Sequence, residues 1–229
     1  MKLSLFPIYL LLFFFNNKTL SQKDNNKKFE QIKDLQNSSL CYGNLFIERY
    51  AKITKSHNYF KSRDYLKADI FYRGELFENI DTKYDLTNDD IIIKINSTIN
   101  NKPLIIILEQ KLITEVTINK KKLVNNKKLG LVEHIFESDK LSILKKYKKK
   151  PIKKLNKKFI NYTFTEEQIY YINYKSQNTD IRNKNTFIKL FPEHNKFIKK
   201  FFKQHRKLKI SSTDLFYKKL TSNLIKLIN

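Results

Sequence analysis

The sequence predicts an α+β fold that is mainly β: an antiparallel meander, sandwich or barrel-like sheet, followed by two amphipathic C-terminal helices. Three observations carry this prediction. Short apolar or alternating segments recur between residues 68 and 136. Asn, Asp, Gly and Pro separate them at roughly 10-residue spacing, which favours antiparallel connections. Beyond residue 192 the hydrophobic period changes from that of a strand to that of a helix.

Four segments of this stretch are predicted strands, namely residues 91–95, 104–108, 112–118 and 131–136. Successive side chains of a strand point to opposite faces. One face of the third predicted strand should therefore carry Leu112, Thr114, Val116 and Ile118. Gly74, inside residues 71–77, predicts a bulge or a close approach of the backbone.

Two alternating groups farther along predict a hairpin, and they consist of Ile160, Tyr162 and Phe164, then Tyr170, Ile172 and Tyr174. Residues 165–168 are expected to form its turn. Pro192 and Glu193 suit the first turn of a helix. The apolar stripe of that helix contains Phe197, Ile198, Phe201, Phe202 and His205. A last helix, capped by Ser211 or Ser212, should bury Phe216, Leu220, Leu224 and Leu227 or Ile228.

The N-terminus has the layout of a signal peptide. Lys2 precedes an apolar run over residues 3–15, and Thr19 and Ser21 predict cleavage before Gln22. The run is shorter than the ~20 residues that span a bilayer, although an uncleaved interfacial anchor stays open. Residues 22–229 should form one β-rich domain, with a flexible lead-in over 22–40, a sheet region over 41–185 and a helical part over 186–229. The expected location is the periplasm, the outer membrane surface or the medium.

The formal net charge is +24, but only five of the 46 basic residues are Arg. Arg is the residue that makes forked contacts with phosphate. Abundant Lys, Asn, Ile and Phe are also what an AT-rich genome produces, so part of the charge is compositional. Together with export, this argues against nucleic acid as the partner. One cysteine, Cys41, excludes an intramolecular disulfide.

The densest basic segment is residues 141–158, and it supplies the best binding candidates. They are Lys145, Lys146, Lys148, Lys149, Lys150, Lys153, Lys154, Lys157 and Lys158. Such a patch could bind anionic polymers, anionic lipids or other envelope components in a salt-dependent way. The alternative is a solvated run of charge without a ligand.

Catalytic and cofactor motifs are not recognisable, and no cofactor is expected. Three glycines leave no Gly-rich phosphate loop, and the four histidines lack the spacing of metal ligands. The one dense acidic group is Asp81, Asp85, Asp89 and Asp90, which could hold Ca²⁺ or serve simply as turn residues. The first hypothesis is therefore a non-enzymatic structural or interaction module. An anion-binding protein is the second, and an enzyme whose site assembles only in space is the third.

Several short motifs resemble an uncharacterised family of exported β-rich proteins from Bacteroidota-type Gram-negative bacteria. They are the signal peptide before Gln22, Tyr65-Leu66, Gly74-Glu75-Leu76-Phe77, Lys83-Tyr84-Asp85-Leu86 with Asp89 and residues 91–93, Leu144-Lys145-Lys146-Tyr147 and Lys189-Leu190-Phe191-Pro192. The resemblance covers most of the chain after the signal peptide. It implies export and a β-rich fold, and it assigns no activity or site residues.

Overall fold

A computed structural model describes residues 38–50, 55–96, 102–155 and 160–228. The predicted signal peptide and most of the predicted lead-in lie outside these residues. The chain divides into two compact units, Met1–Tyr42 with Ile95–Leu104, and Gly43–Lys94 with Ile105–Asn229. In the described part of the first unit, Ser39–Cys41 forms a 3-10 turn that buries Leu40. Every site discussed below belongs to the second unit.

Eleven strands of the described residues form one open, mainly antiparallel sheet, which confirms the predicted fold class. In chain order they are β1 (Asn44–Leu45), β2 (Leu66–Tyr72), β3 (Glu75–Asp85), β4 (Asp90–Ile95), β5 (Leu104–Ile107), β6 (Ile113–Ile118), β7 (Lys121–Asn126), β8 (Gly130–Glu137), β9 (Leu141–Leu155), β10 (Ile160–Tyr174) and β11 (Gln177–Asp180). Their order in the sheet is β1-β5-β4-β3-β2-β6-β7-β8-β9-β10-β11. The four predicted strands are β4, β5, β6 and β8.

The alternation predicted for β6 is wrong at its start. Ile113 is buried together with Val116 and Ile118, whereas Thr114 is exposed. Opposite β2, the register shifts because Phe71 faces Glu115 but Tyr72 faces Ile113. Thr114 is thus the extra residue of a β-bulge, and a bulge changes which side chains face inward by one position.

Gly74 serves a turn, and not the bulge or the close approach of the backbone that the sequence predicted, since a Cβ at this position would meet nothing within 4 Å. Arg73 and Gly74 connect β2 to β3, and both have positive φ angles of 52° and 86°. Two such central residues define a type I′ hairpin turn, whose twist matches that of the paired strands. The irregularity in the β2–β3 pair lies between Ala68 and Ile70.

The predicted hairpin with a turn at residues 165–168 is also wrong, because these residues lie inside β10. Strands β9 and β10 pair without interruption from Leu141 with Tyr174 to Leu155 with Ile160. The glutamates at positions 166 and 167 face Lys149 and Lys148 on β9. Opposite charges directly across an antiparallel pair stabilise it, so an acidic pair that resembles a turn is accommodated within a strand.

The sheet curls until β9 meets the turn between β3 and β4. The backbone N–H of Lys149 donates to the carbonyl oxygen of Leu86, with 3.1 Å between N and O. Four strands, β2, β6, β7 and β8, separate β3 from β9 in the sheet order. This curl brings side chains of β9 close to a turn that is far away in sequence.

Four α-helices follow the sheet in the described residues: α1 (Lys184–Leu190), α2 (Asn195–Gln204), α3 (Arg206–Ser211) and α4 (Thr213–Ile228). The two predicted helices are α2, which follows a 3-10 turn at Pro192–His194, and α4. Ser212 accepts a hydrogen bond from the N–H of Leu215, as expected of its cap. Helices α1 and α3 were not predicted. No helix in the described part of the chain is long and apolar enough to cross a membrane.

The helices cover one end of the sheet with an apolar core. From the sheet it contains Leu141, Ile143, Tyr170 and Ile172, and from the helices Phe187, Ile198, Phe201, Phe216, Leu220 and Leu224. The predicted stripe of α4 is therefore buried, apart from Leu227, which is exposed. This core fixes the near ends of β9 and β10, and it leaves their far ends outside the helical part.

Candidate functional site

The lysines predicted as one binding patch do not form one surface. Lys157 and Lys158 lie outside the described residues. Lys145 and Lys146 are buried and Lys149 is half-buried. The exposed members are Lys148, Lys150, Lys153 and Lys154. Two groups of lysines on one strand thus require separate explanations.

Lys146 belongs to a compact polar network inside the sheet. Its Nζ forms an ion pair with Asp89, whose carboxylate also accepts from the hydroxyl of Tyr84 and the amide of Gln110. The Lys146 side chain is 3% exposed and that of Asp89 is 22% exposed. Burial lowers the pKa of Lys146, an effect that Asp89 opposes. Burial and Asp89 raise the pKa of Tyr84 well above its ordinary value.

Gly130 completes this network by leaving room for it. A Cβ at position 130 would collide with the Asp89 carboxylate and the Gln110 amide. The glycine also has a φ angle of +71°, a backbone conformation that suits glycine best. The first residue of β8 therefore allows the network to close around Asp89.

Lys145, the neighbour of Lys146, points to the opposite face and joins β9 to helix α4. Its Nζ lies 3.0 and 2.9 Å from the two carboxylate oxygens of Asp214. Tyr170 on β10 donates its hydroxyl to the same carboxylate. The Lys145 Nζ also lies 5.0 and 5.6 Å from the ring centroids of Tyr147 and Tyr170, within the range of cation–π attraction.

Lys149 binds backbone rather than acidic side chains. Its Nζ donates to the carbonyl oxygens of His57 and Tyr59, at 3.1 and 2.7 Å. Burial lowers the pKa of Lys149, while Glu166 raises it. Lys145, Lys146 and Lys149 are thus held by partners within the protein, which makes them structural residues first.

The far half of the β9–β10 hairpin has no neighbouring strand. Strand β8 pairs with β9 from Ser142 to Lys145, and β11 pairs with β10 from Tyr171 to Tyr174. Within the described part of the chain, residues 148–155 and 160–167 pair as strands only with each other. We call these residues the arm. At ~3.3 Å per residue its eight paired positions extend about 26 Å.

One face of the arm packs against a preceding segment between its middle and its far end, where Phe164 and Tyr162 lie opposite Pro151 and Lys153. The ring of Tyr50 packs edge-on against Tyr162 and Phe164, with 5.0 Å between ring centroids in both pairs. The N–H of Phe164 donates to the Ser56 hydroxyl at 2.8 Å. These contacts give the arm a defined direction.

The opposite face of the arm is basic. Alternation places Lys148, Lys150, Ile152 and Lys154 on this side, and their partners across the hairpin are Glu167, Thr165, Thr163 and Asn161. We call Lys148, Lys150 and Lys154 the basic face. Lys150 forms an exposed ion pair of 2.9 Å with Glu167. Lys148 and Lys154 make no ion pair with another described residue.

Large apolar side chains are exposed where the described arm ends. Leu155 is 77% exposed, Ile152 48% and Ile160 43%. Leu155 and Ile160 face each other across the hairpin. We call these three residues the apolar tip. The distal arm, residues 150–155 and 160–165, contains three lysines and no acidic residue.

The four aspartates of the calcium hypothesis have separate partners. Asp81 pairs with Lys67, Asp85 accepts from the backbone and side chain of Asn88, and Asp89 belongs to the Lys146 network. The described residues contain no group of three or more His, Cys, Asp or Glu that could hold a metal ion. The calcium hypothesis gains no support from this geometry.

Asp90 instead lines a cleft that sequence analysis did not identify. The cleft has a volume of about 250 Å³ and is lined by Leu45, Phe46, Ile47, Glu48, Arg49, Tyr50, Asn58, Asp85, Asn88, Asp90 and Ile107. Burial, Asp85 and Asp89 raise the pKa of Asp90, while Arg49 lowers it. These residues come from four separate stretches of chain, so no local motif announces the cleft.

The fold and the exposed arm define a class: a mainly β α+β protein with an open sheet, a helical cover and a projecting two-stranded arm. No family model, no curated protein and no solved structure matches the chain.

Proposed function

We propose that the protein is an exported interaction module that binds an anionic surface through the basic face of the arm. The observation that carries this proposal is the position of Lys148, Lys150 and Lys154, exposed on one side of a hairpin that lies beyond the neighbouring strands. Their targets would be phosphate or carboxylate groups on an envelope polymer or on lipid headgroups.

The spacing of these lysines supports joint action. Lys148 and Lys150 are alternate residues, ~7 Å apart along the strand, and Lys150 and Lys154 are four residues apart, about 13 Å. Charges act over about 8 Å at physiological ionic strength. A surface with closely spaced anions can therefore interact with all three lysines at once. The buried lysines contribute differently, because their partners hold the near end of the hairpin in place.

Export is a separate part of the proposal, supported by the predicted signal peptide. The intact mass of the protein recovered from each cell fraction tests it. A species lacking residues 1–21 in the periplasm, envelope or medium is the expected result. A full-length species confined to the cytosol would contradict export and would favour nucleic acid as the anionic partner.

Binding is tested with the triple variant Lys148→Gln/Lys150→Gln/Lys154→Gln. The matched control is Lys199→Gln/Lys200→Gln/Lys203→Gln, which removes three exposed charges from α2. The probes are vesicles of phosphatidylcholine with phosphatidylglycerol, and soluble polyphosphate, each over a series of salt concentrations. A lysine near an anionic membrane contributes about 1 kcal/mol, so the arm variant should lose roughly 100-fold in vesicle affinity.

The control triple should lose much less than the arm triple, because its lysines lie outside the arm. The two variants share the same net charge, so a difference between them reports the position of the lysines. Equal losses would show that total charge, and not the arm, determines binding. Unchanged binding of the arm variant, with an unchanged salt dependence, would refute the proposal. Replacement of the same three lysines by Arg should retain binding, since the charge is kept.

A further inference from the structure

The apolar tip distinguishes among the anionic partners that the basic face could bind. A soluble polyanion offers charge alone. It provides no apolar surface that the exposed side chains of Leu155, Ile160 and Ile152 could contact. The boundary between lipid headgroups and acyl chains offers anionic phosphates and an apolar region within a few ångströms of each other. The distal arm presents the complementary pair of chemistries.

We infer that the partner is a bilayer with anionic headgroups, and that the apolar tip enters the headgroup–acyl boundary. This inference rests on the proposed function and names its partner. The charges along the arm are arranged as contact with anionic headgroups requires, with the acidic residues at the base and the lysines toward the end. The acidic residues Glu166 and Glu167 face Lys149 and Lys148 at the base, while the distal arm carries only lysines.

The distance between the apolar side chains of β9 indicates how deep the tip could insert. Leu155 and Ile152 are three residues apart along β9, which corresponds to about 10 Å. Interfacial segments bury their apolar side chains ~5–10 Å into this boundary. With Leu155 at that depth, Lys150 and Lys154 can reach the phosphates, because long lysine side chains extend toward polar groups.

The backbone limits insertion to the interface. The outer edges of β9 and β10 in the distal arm have no neighbouring strand among the described residues. Unpaired N–H and C=O groups are costly in the hydrocarbon interior. The arm is therefore suited to shallow contact from one side of the bilayer.

A variant of the tip separates insertion from charge attraction. Ile152→Thr/Leu155→Thr/Ile160→Thr removes the apolar tip while keeping β-branched residues that suit strands. The matched control is Leu76→Thr/Ile210→Thr/Leu227→Thr, at positions that are 56, 78 and 48% exposed. All variants carry the same N-terminal residues, so differences among them do not arise from the predicted signal peptide.

The tip variant should lose about tenfold or more in affinity for vesicles of phosphatidylcholine with phosphatidylglycerol. Its affinity for soluble polyphosphate should not change, and the control should bind both probes like the wild type. Equal vesicle affinity of the tip variant and the wild type would overturn the inference. The proposed function would survive that result if the lysine triple still lost binding.

A second measurement reads insertion directly and does not require a weakened variant. The chain contains no Trp, so Leu155→Trp introduces a single indole at the tip. Its emission should shift to shorter wavelength with anionic vesicles and be quenched by a nitroxide near the headgroups. Ile210→Trp, an exposed position on α3, should show neither effect.

The remaining outcomes are also decisive. An unshifted Leu155→Trp emission in vesicle-bound protein would mean that charge alone holds the arm at the surface, and it would overturn insertion. A shift that appears without vesicles and grows with protein concentration would identify a second copy of the chain as the occupant of the tip. If the wild-type protein bound neither vesicles nor polyphosphate, the proposed function itself would be refuted.

Discussion

The two halves of the β9–β10 hairpin contain the same residue type in opposite environments. Near the helices, Lys145 and Lys146 are buried and paired with Asp214 and Asp89. In the arm, Lys148 and Lys154 are exposed. The difference teaches that the residues which the fold places against each lysine determine whether that lysine is buried in an ion pair or stays exposed.

The largest effect is expected where the lysine is most buried. Asp89→Asn keeps the size of the side chain and its tolerance of a positive φ angle, here 67°, but it removes the counter-charge of Lys146. An uncompensated buried charge should lower the free energy of unfolding by about 3 kcal/mol. Urea denaturation measures this loss.

Lys146→Met serves as the companion variant because it removes the buried charge itself. Asp89 is partly exposed and keeps Tyr84 and Gln110 as donors, so the expected loss is smaller, roughly 1–2 kcal/mol. If Asp89→Asn cost no more than Lys146→Met, the ion pair would not be what holds β9 to the β3–β4 turn.

Gly130→Ala should have the next largest effect. The positive φ angle costs about 1–2 kcal/mol for a side chain, and the Cβ collides with Asp89 and Gln110. Gly74→Ala is the matched control, because Gly74 has a φ angle of +86° and its Cβ would meet nothing within 4 Å. Thermal or urea unfolding should show a greater loss for Gly130→Ala, and equal losses would exclude the collision.

Stability should fall at high pH because buried tyrosines, among them Tyr217 on α4, must ionise when the protein unfolds. Burial, together with Asp180, raises the pKa of Tyr217 to about 12. A phenol with a raised pKa contributes stability that is complete below its unfolded value, near pH 10, and is lost as pH rises toward 12. The loss from Tyr217 should be about 3 kcal/mol at most.

Tyr217→Phe should therefore make unfolding less sensitive to pH between pH 10 and pH 12, as urea titrations at several pH values would show. Tyr42→Phe, at an exposed position, is the control and should behave like the wild type. A Tyr217→Phe variant with the pH dependence of the wild type would assign the alkaline loss to other groups, such as Tyr84, whose pKa burial also raises.

The sequence predicts the strands with aliphatic periods well and the lysine-rich strand poorly. Strands β4, β5, β6 and β8 carry Ile, Leu and Val in short runs, so their burial pattern is visible in the chain. In the near half of β9, two of the buried residues are Lys145 and Lys146, so a hydrophobic pattern does not show that this part of the strand is buried. Predicting that burial requires knowledge of Asp89 and Asp214, which lie 57 and 69 residues away.

Other features depend on similar long-range information. Helix α1 has seven residues, mostly polar, and only Phe187 is buried, so no hydrophobic period announces it. The turn predicted at residues 165–168 failed because the lysines that face Glu166 and Glu167 belong to another segment. The sequence predicted the exposed lysines of the candidate site as binding residues. It could not distinguish them from the buried lysines of the same strand.

The smallest effect on stability is expected in the arm, where it coincides with a gain in binding. Lys150 and Glu167 form an exposed ion pair, and such pairs contribute about 0–1 kcal/mol. Glu167→Gln should change the free energy of unfolding by less than about 0.5 kcal/mol. It also removes the carboxylate that lies opposite Lys148 and pairs with Lys150. One unit of charge near an anionic membrane is worth about 1 kcal/mol, so vesicle affinity should rise about fivefold.

Lys150→Gln should lower vesicle affinity by a similar factor, at a similarly small cost in stability. Vesicle sedimentation and urea denaturation of both variants measure the two quantities separately. If Glu167→Gln weakened binding or unfolded the protein, the far half of the hairpin would depend on its ion pair as the near half does, and the contrast between the halves would disappear.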